Sequence, residues 1–122
     1  MPLDWRTGAL AEGLACYRNE EFFLAHEHWE RVWLGLDGAE KSVVQALIQM
    51  TAAFHHLRAG NRAGAASLLR RALRRLDASP PQFAGIAVAP LRAEVKAWLR
   101  GLEDQDFGLP EQCPQIRPAD PD

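Results

Sequence analysis

The sequence predicts an all-α fold, a compact antiparallel bundle of about five helices. Three observations carry that expectation. Apolar residues recur at helical spacing over successive stretches, and no stretch alternates with period two over a useful length. Residues that start and stop helices stand between those stretches. The apolar fraction of 48% and the charged fraction of 25% belong to an ordinary globular chain, and 122 residues supply one core without staples.

The first helix is expected from about Asp4 to Tyr17, with Leu3, Leu10, Leu14 and Tyr17 as a narrow apolar stripe. Asn19 is placed to cap the second helix, and Glu20 and Glu21 sit in its first turn, where the helix dipole favours acids. That helix stops at Gly35. Asp37-Gly38-Ala39-Glu40 reads as a capping box for the third helix, which runs to Ala59 with Gly60 just beyond it. Asn61 then caps the fourth helix at once, so the third and fourth form a tight hairpin. The fourth ends near Asp77, before Ser79-Pro80-Pro81. Pro90 suits the first turn of the fifth, which ends near Gly101. Ile86-Ala87-Val88 is too short to argue for a strand. The single domain covers residues 1–108. Residues 109–122, with four prolines, form an extended tail whose first half packs through Phe107, Leu109 and Ile116 and whose end is loose.

Composition also excludes functions. The net charge of −2 creates no field that draws the whole molecule to nucleic acid or an anionic membrane. No apolar run approaches the roughly 18 residues of a membrane helix. Met1-Pro2-Leu3-Asp4-Trp5 has no basic or apolar leader pattern, so a cytoplasmic chain with Cys16 and Cys113 as reduced thiols is expected. Charge is unevenly spread: residues 58–75 hold six Arg and no acid, while residues 103–122 hold six acids and one Arg. Arg70, Arg71, Arg74 and Arg75 form a basic face with no interleaved aromatics, which disfavours nucleic acid against a solvated, ion-paired face. Ser42, Ser67 and Ser79 lie in no nucleophile elbow. Gly35-x-x-Gly38 lacks the Lys and the preceding strand of a phosphate loop.

The third helix is apolar nearly all round, with Val43, Val44, Leu47, Ile48, Met50, Phe54 and Leu57, so it is central. Its few polar residues need a reason. Gln45, Gln49 and His56 fall on one stripe at about 100° per residue. On the second helix, Phe22, Phe23, Trp29, Trp33 and Leu34 make one broad face. His26 and Glu30 lie inside it, Glu27 at its edge, and His28 points to solvent. The economical arrangement turns the two stripes toward each other, so that His26, Glu27, Glu30, Gln45, Gln49 and His56 share a polar pocket roofed by Trp29 or Trp33.

Three readings follow. The cluster is a hydrogen-bond network that fixes helix register. Or it is a ligand-binding or catalytic pocket, with Glu30 or Glu27 as base, His26 as its partner, and Trp33, Gln45, Gln49, His56 and Asn61 holding a small molecule. Or His26, Glu30 and His56 hold a divalent metal. The metal reading is poor in detail, because His26-Glu27-His28-Trp29-Glu30 is not the His-Glu-x-x-His of helical zinc sites. A scaffold role is the rival from another class. Ala63-Gly64-Ala65-Ala66 lets two helices approach closely, as in a tetratricopeptide unit, but no repeat near a period of about 34 residues accompanies it. The partner, small molecule or protein, and any homo-oligomer stay undefined at this level.

Phe22-Phe23-Leu24-Ala25-His26-Glu27-His28-Trp29-Glu30-Arg31-Val32-Trp33 resembles the signature Phe-x-x-x-His-Glu-x-x-Glu-x-x-Trp. That signature marks a prokaryotic family of small helical proteins known as a domain of unknown function (number three hundred and nine). Two further blocks are similar, Gln45 to Asn61 and Gly64 to Leu73. The resemblance implies an all-α, cytoplasmic, prokaryotic protein and supplies no reaction. It carries His26, Glu27, Glu30, Trp33, Gln49, His56 and Asn61 onto signature positions, and leaves His28 and His55 outside.

Overall fold

A computed structural model describes residues 3–119; the expected loose end of the tail, residues 120–122, lies outside the described residues. The chain folds as α1 (Gly8–Arg18), α2 (Phe22–Leu34), α3 (Gly38–Arg58), α4 (Arg62–Asp77), β1 (Gln82–Phe83), β2 (Ile86–Ala87), α5 (Val88–Glu103) and a short 3-10 turn (Gln105–Phe107). The all-α expectation is met. Consecutive helices pack on one another, α1 on α2, α2 on α3, α3 on α4 and α4 on α5. No described helix is long and apolar enough to cross a membrane.

Helix ends follow local chemistry. Gly60 takes φ 87 just past α3, a left-handed conformation that costs glycine little. Asn61 is the N-cap of α4, its side-chain oxygen accepting from the Gly64 amide at 2.9 Å. At the start of α3 the expected capping box does not close: Asp37 is the N-cap but its side chain makes no capping bond. The cap of α2 is Glu21 rather than Asn19.

Two elements differ from expectation. Helix α1 begins at Gly8, not Asp4, because Trp5 is drawn away from the helix: it is buried and its indole N–H donates to the Ala84 carbonyl at 2.7 Å. A two-residue hairpin joins α4 to α5, with Gln82 opposite Ala87 and Phe83 opposite Ile86. Ala84 (φ 54) and Gly85 (φ 81) both lie in the left-handed region, as a primed hairpin turn requires.

The core is continuous through all five helices, with Trp29, Leu47, Met50, Leu69, Leu76, Ile86 and Leu91 fully enclosed. The tail belongs to it. Ile116 is 2% exposed. Tyr17 donates its hydroxyl to the Pro114 carbonyl at 2.7 Å, and Trp98 its indole N–H to the Gln112 carbonyl at 2.8 Å. Ala87 and Ala119 tie the same segment to the hairpin through backbone bonds to Arg117 and Gly85.

Candidate functional site

The buried side of α2 is not the one the large side chains suggest. Phe22, Ala25 and Trp29 are buried, whereas Phe23 is 61% and Leu34 68% exposed. The buried arc is centred on small Ala25 as much as on the rings, roughly 70° round the helix from the centre of the aromatic set. Two consequences follow for the histidines. His26 moves from the middle of the buried face to its rim, 34% exposed, with its Nδ1 3.5 Å from an oxygen of Glu30, itself half-exposed. His28, expected in solvent, is the more enclosed at 21%, on the opposite rim beside α1, 3.3 Å from a Glu12 oxygen. That approach is close enough for an ion pair but misaligned for a hydrogen bond, so His28 Nδ1 keeps no hydrogen-bond partner among the described residues. Glu27 is exposed.

On α3 the polar stripe is real, and it is the open edge of the central helix. Between Val43 and Phe54, only Gln45, Gln49 and Ala52 are not fully buried. Lys41 and Ser42 continue the stripe toward the helix start and His56 toward its end, all at intermediate exposure. The stripe does not turn wholly toward α2. One cavity of about 200 Å³ is lined by Trp33, Gly38, Lys41, Ser42, Gln45 and Arg75. A second, of about 230 Å³, is lined by Gln49, Arg71, Arg74 and Arg75. Arg75 borders both, so the two lie side by side as a shallow groove. Its floor is α3, one wall is Trp33 at the end of α2, and the other is α4.

The structure therefore joins Trp33, Gln45 and Gln49 to a wall of arginines that sequence reasoning had set apart as a solvated face. Arg70 is solvated and paired, with Glu103 at 2.6 Å, and Arg58 with Glu20 at 2.7 Å. Lys41, Arg71, Arg74 and Arg75 have no carboxylate within ion-pairing distance among the described residues. Lys41 Nζ instead stands 4.3 Å over the Trp33 ring, and Arg75 donates to Ser42 Oγ at 3.1 Å. The signal in the sequence was the spacing Arg71-x-x-x-Arg75, one turn apart on one face of a helix already expected to pack on α3.

His56 and Asn61 have a different task. The Asn61 amide lies 3.4 Å from His56 Nδ1 while its oxygen caps α4. Gly64 is required beside it, since a Cβ there would meet Asn61 Oδ1 at 3.0 Å and crowd its amide nitrogen closer still. Asn61→Ala is expected to cost about 1 kcal/mol, as loss of an N-cap does. A shift of the urea midpoint at unchanged slope checks it. The metal reading loses its third ligand: among the described residues, no three His, Cys, Asp or Glu side chains are placed to hold an ion.

A larger cavity, about 510 Å³, lies under the tail and is lined by Tyr17, Arg18, Trp98, Cys113 and neighbours. Size does not make it the better site. Three of its polar groups are occupied in holding the tail: Tyr17, Trp98 and Arg18 all donate to tail carbonyls. Burial pushes the Cys113 thiol up to about 11, so it is a neutral thiol near pH 7 and a poor nucleophile. The α3 groove has the opposite character. Trp33 Nε1 and Gln49 Oε1 are both buried and both lack a hydrogen-bond partner among the described residues. Such orphans cost free energy and are rare in native folds.

Among known families, the model of the domain of unknown function DUF309 matches residues 10–68. That segment contains His26, Glu27, Glu30, Trp33, Gln45, Gln49, His56 and Asn61, and ends before Arg70, Arg71, Arg74 and Arg75. No curated protein matches the chain.

Proposed function

We propose, from the premise that residues 10–68 of this chain carry the domain of unknown function DUF309, that the protein is a small-ligand-binding domain whose site is the groove along α3. One observation carries the reading. Trp33 and Gln49 line two adjoining cavities, and the indole Nε1 of the first and the amide Oε1 of the second are buried just behind that lining with no hydrogen-bond partner among the described residues. A ligand that accepts from the first and donates to the second would satisfy both.

Glu30 and His26 lie one and two turns back from Trp33 on the same flank of α2. A Glu30 oxygen stands 3.5 Å from His26 Nδ1, and outside the lining of the two cavities the pair could serve as a proton-transferring couple if the ligand is also a substrate. Glu27, exposed beside them, is the weaker candidate base. The setting that suits this reading is a prokaryotic cytoplasm, where Cys16 and Cys113 stay free thiols. The interaction-module reading rests on a different feature, the exposed Phe23, Leu24 and Leu34 on the outer side of α2.

The test is a panel of sugars, amino acids, carboxylates and phosphate esters added to isotopically labelled protein. The indole signal of Trp33 and the side-chain amides of Gln45 and Gln49 should move together with one compound class, while the Trp98 indole stays. Movement of Trp98 alone, or of nothing, would sink the groove reading. Stability gives a second readout. If Gln49 served only as a structural network member, Gln49→Leu would destabilise the fold. An orphan acceptor makes the opposite prediction: the variant should be neutral or more stable, by up to about 1–3 kcal/mol, while losing ligand.

A further inference from the structure

Resting on the groove reading, we infer that its ligand is a small phosphomonoester that also carries a hydroxyl. The α4 wall lies outside the matched family segment, so this assignment comes from residues of this chain.

Lys41, Arg71, Arg74 and Arg75 border cavities of about 200 and 230 Å³ with no carboxylate partner among the described residues. These four cations leave positive charge on the cavity walls that no carboxylate among the described residues pairs with. Glu103 is taken by Arg70 and Asp77 by Arg92 and Lys96. A carboxylate would bring one negative charge and two acceptor oxygens. A phosphomonoester brings about 1.5 to 2 negative charges near pH 7 and three acceptor oxygens, which the planar guanidinium forks can meet two at a time. Beside the shared Arg75 stand Lys41, the Ser42 hydroxyl, and the unpaired Trp33 N–H. Lys41 and Ser42 belong to the opening turns of α3, a helix of 21 residues whose positive dipole end faces this part of the groove. The phosphate therefore seats between Trp33, Lys41, Ser42 and Arg75. Further along α3 the unpaired Gln49 oxygen needs a donor. A hydroxyl on the esterified part supplies it, between Arg71 and Arg74. The two cavities are small, about 200 and 230 Å³, which favours a molecule of a few carbons over a nucleic-acid strand.

The probe is glycerol 3-phosphate, titrated at constant ionic strength while the Trp33 indole N–H signal and the melting temperature are followed. Saturable movement of the signal is expected, with a matching rise in melting temperature, as for any ligand that binds only the folded state. Inorganic phosphate should bind in the same place but more weakly, because it leaves Gln49 unmet. Lys41→Gln and Arg75→Gln should each weaken binding at least tenfold, and Arg70→Gln, on the paired side of α4, should leave it unchanged. Each substitution gives up one local contact, Lys41 over the Trp33 ring or Arg75 to Ser42, so the melting temperature of each unliganded variant is measured beside its binding. An unmoved Trp33 signal at ~10 mM glycerol 3-phosphate would overturn the inference. So would equal binding by the Lys41 and Arg75 variants, or acetate binding as tightly as the ester. In the acetate case the groove reading survives, whereas silence toward the whole compound panel defeats both. Tighter binding of a single-stranded oligoribonucleotide, with a steep salt dependence, would overturn it in favour of RNA.

Discussion

Trp29→Ala is expected to remove about 3–5 kcal/mol of stability, a large part of what a domain of this size has. Trp29 is fully buried at the junction of α1 and α2. It meets Trp5 edge-on at 5.9 Å between ring centroids and Tyr17 at 6.0 Å, and its indole N–H donates to the Leu10 carbonyl at 3.2 Å. Its fit depends on Gly13. A Cβ at that position would fall inside the indole, well within van der Waals contact of Nε1, Cδ1 and Cε2. Gly13→Ala should therefore cost about 1–3 kcal/mol by overpacking. The two costs are not independent. With the indole gone, alanine at 13 gains helix propensity over glycine by about 1 kcal/mol and meets no obstacle. The second substitution should then stabilise the Trp29→Ala protein. Urea midpoints of the four combinations measure this sign reversal, and simple additivity would show that Gly13 has another reason.

Ile116→Ala should cost about 2–5 kcal/mol although the residue sits in an irregular, proline-containing tail. The side chain is almost wholly enclosed, and the carbonyls around it receive Tyr17, Trp98 and Arg18. Leu109→Ala, 40% exposed on the same segment, should stay within about 0.5 kcal/mol. Thermal melts of the pair separate the cases. If both variants melt like the parent, the tail contributes little, and the tail's hydrogen bonds are then incidental.

Much of this architecture was legible in the residues, for local reasons. Gly35, Gly60 and Asn61 end and begin helices through their own backbone and side-chain chemistry, so their spacing alone reveals α2, α3 and α4. The hairpin was not legible, because its turn is Ala84-Gly85 rather than the Asn-Gly or Asp-Gly that announces one. Trp5 left the first helix for a carbonyl 79 residues away, and no local pattern encodes that partner. The candidate site divides the same way. The α3 stripe of Gln45 and Gln49 is written in its period. Which neighbours flank it is not. The facing of α2 was misjudged because large rings outweighed Ala25, whose small side chain lets α2 approach its neighbours. That error put His26 inside and His28 outside, and it hid the fact that the stripe opens toward Arg71, Arg74 and Arg75.

The ties that clasp the tail and the first residues to the body also set an order of events for folding. The helix hairpins α1–α2 and α3–α4 join residues close in the chain, so their formation costs little loop entropy. The Tyr17–Pro114 and Arg18–Ile116 bonds span 97 and 98 residues. Neither can form on the ribosome until nearly the whole chain has emerged. The groove along α3 depends only on α2, α3 and α4, so it is assembled in the early, local phase. The clasp closes last, as a seal on a body whose binding surface already exists.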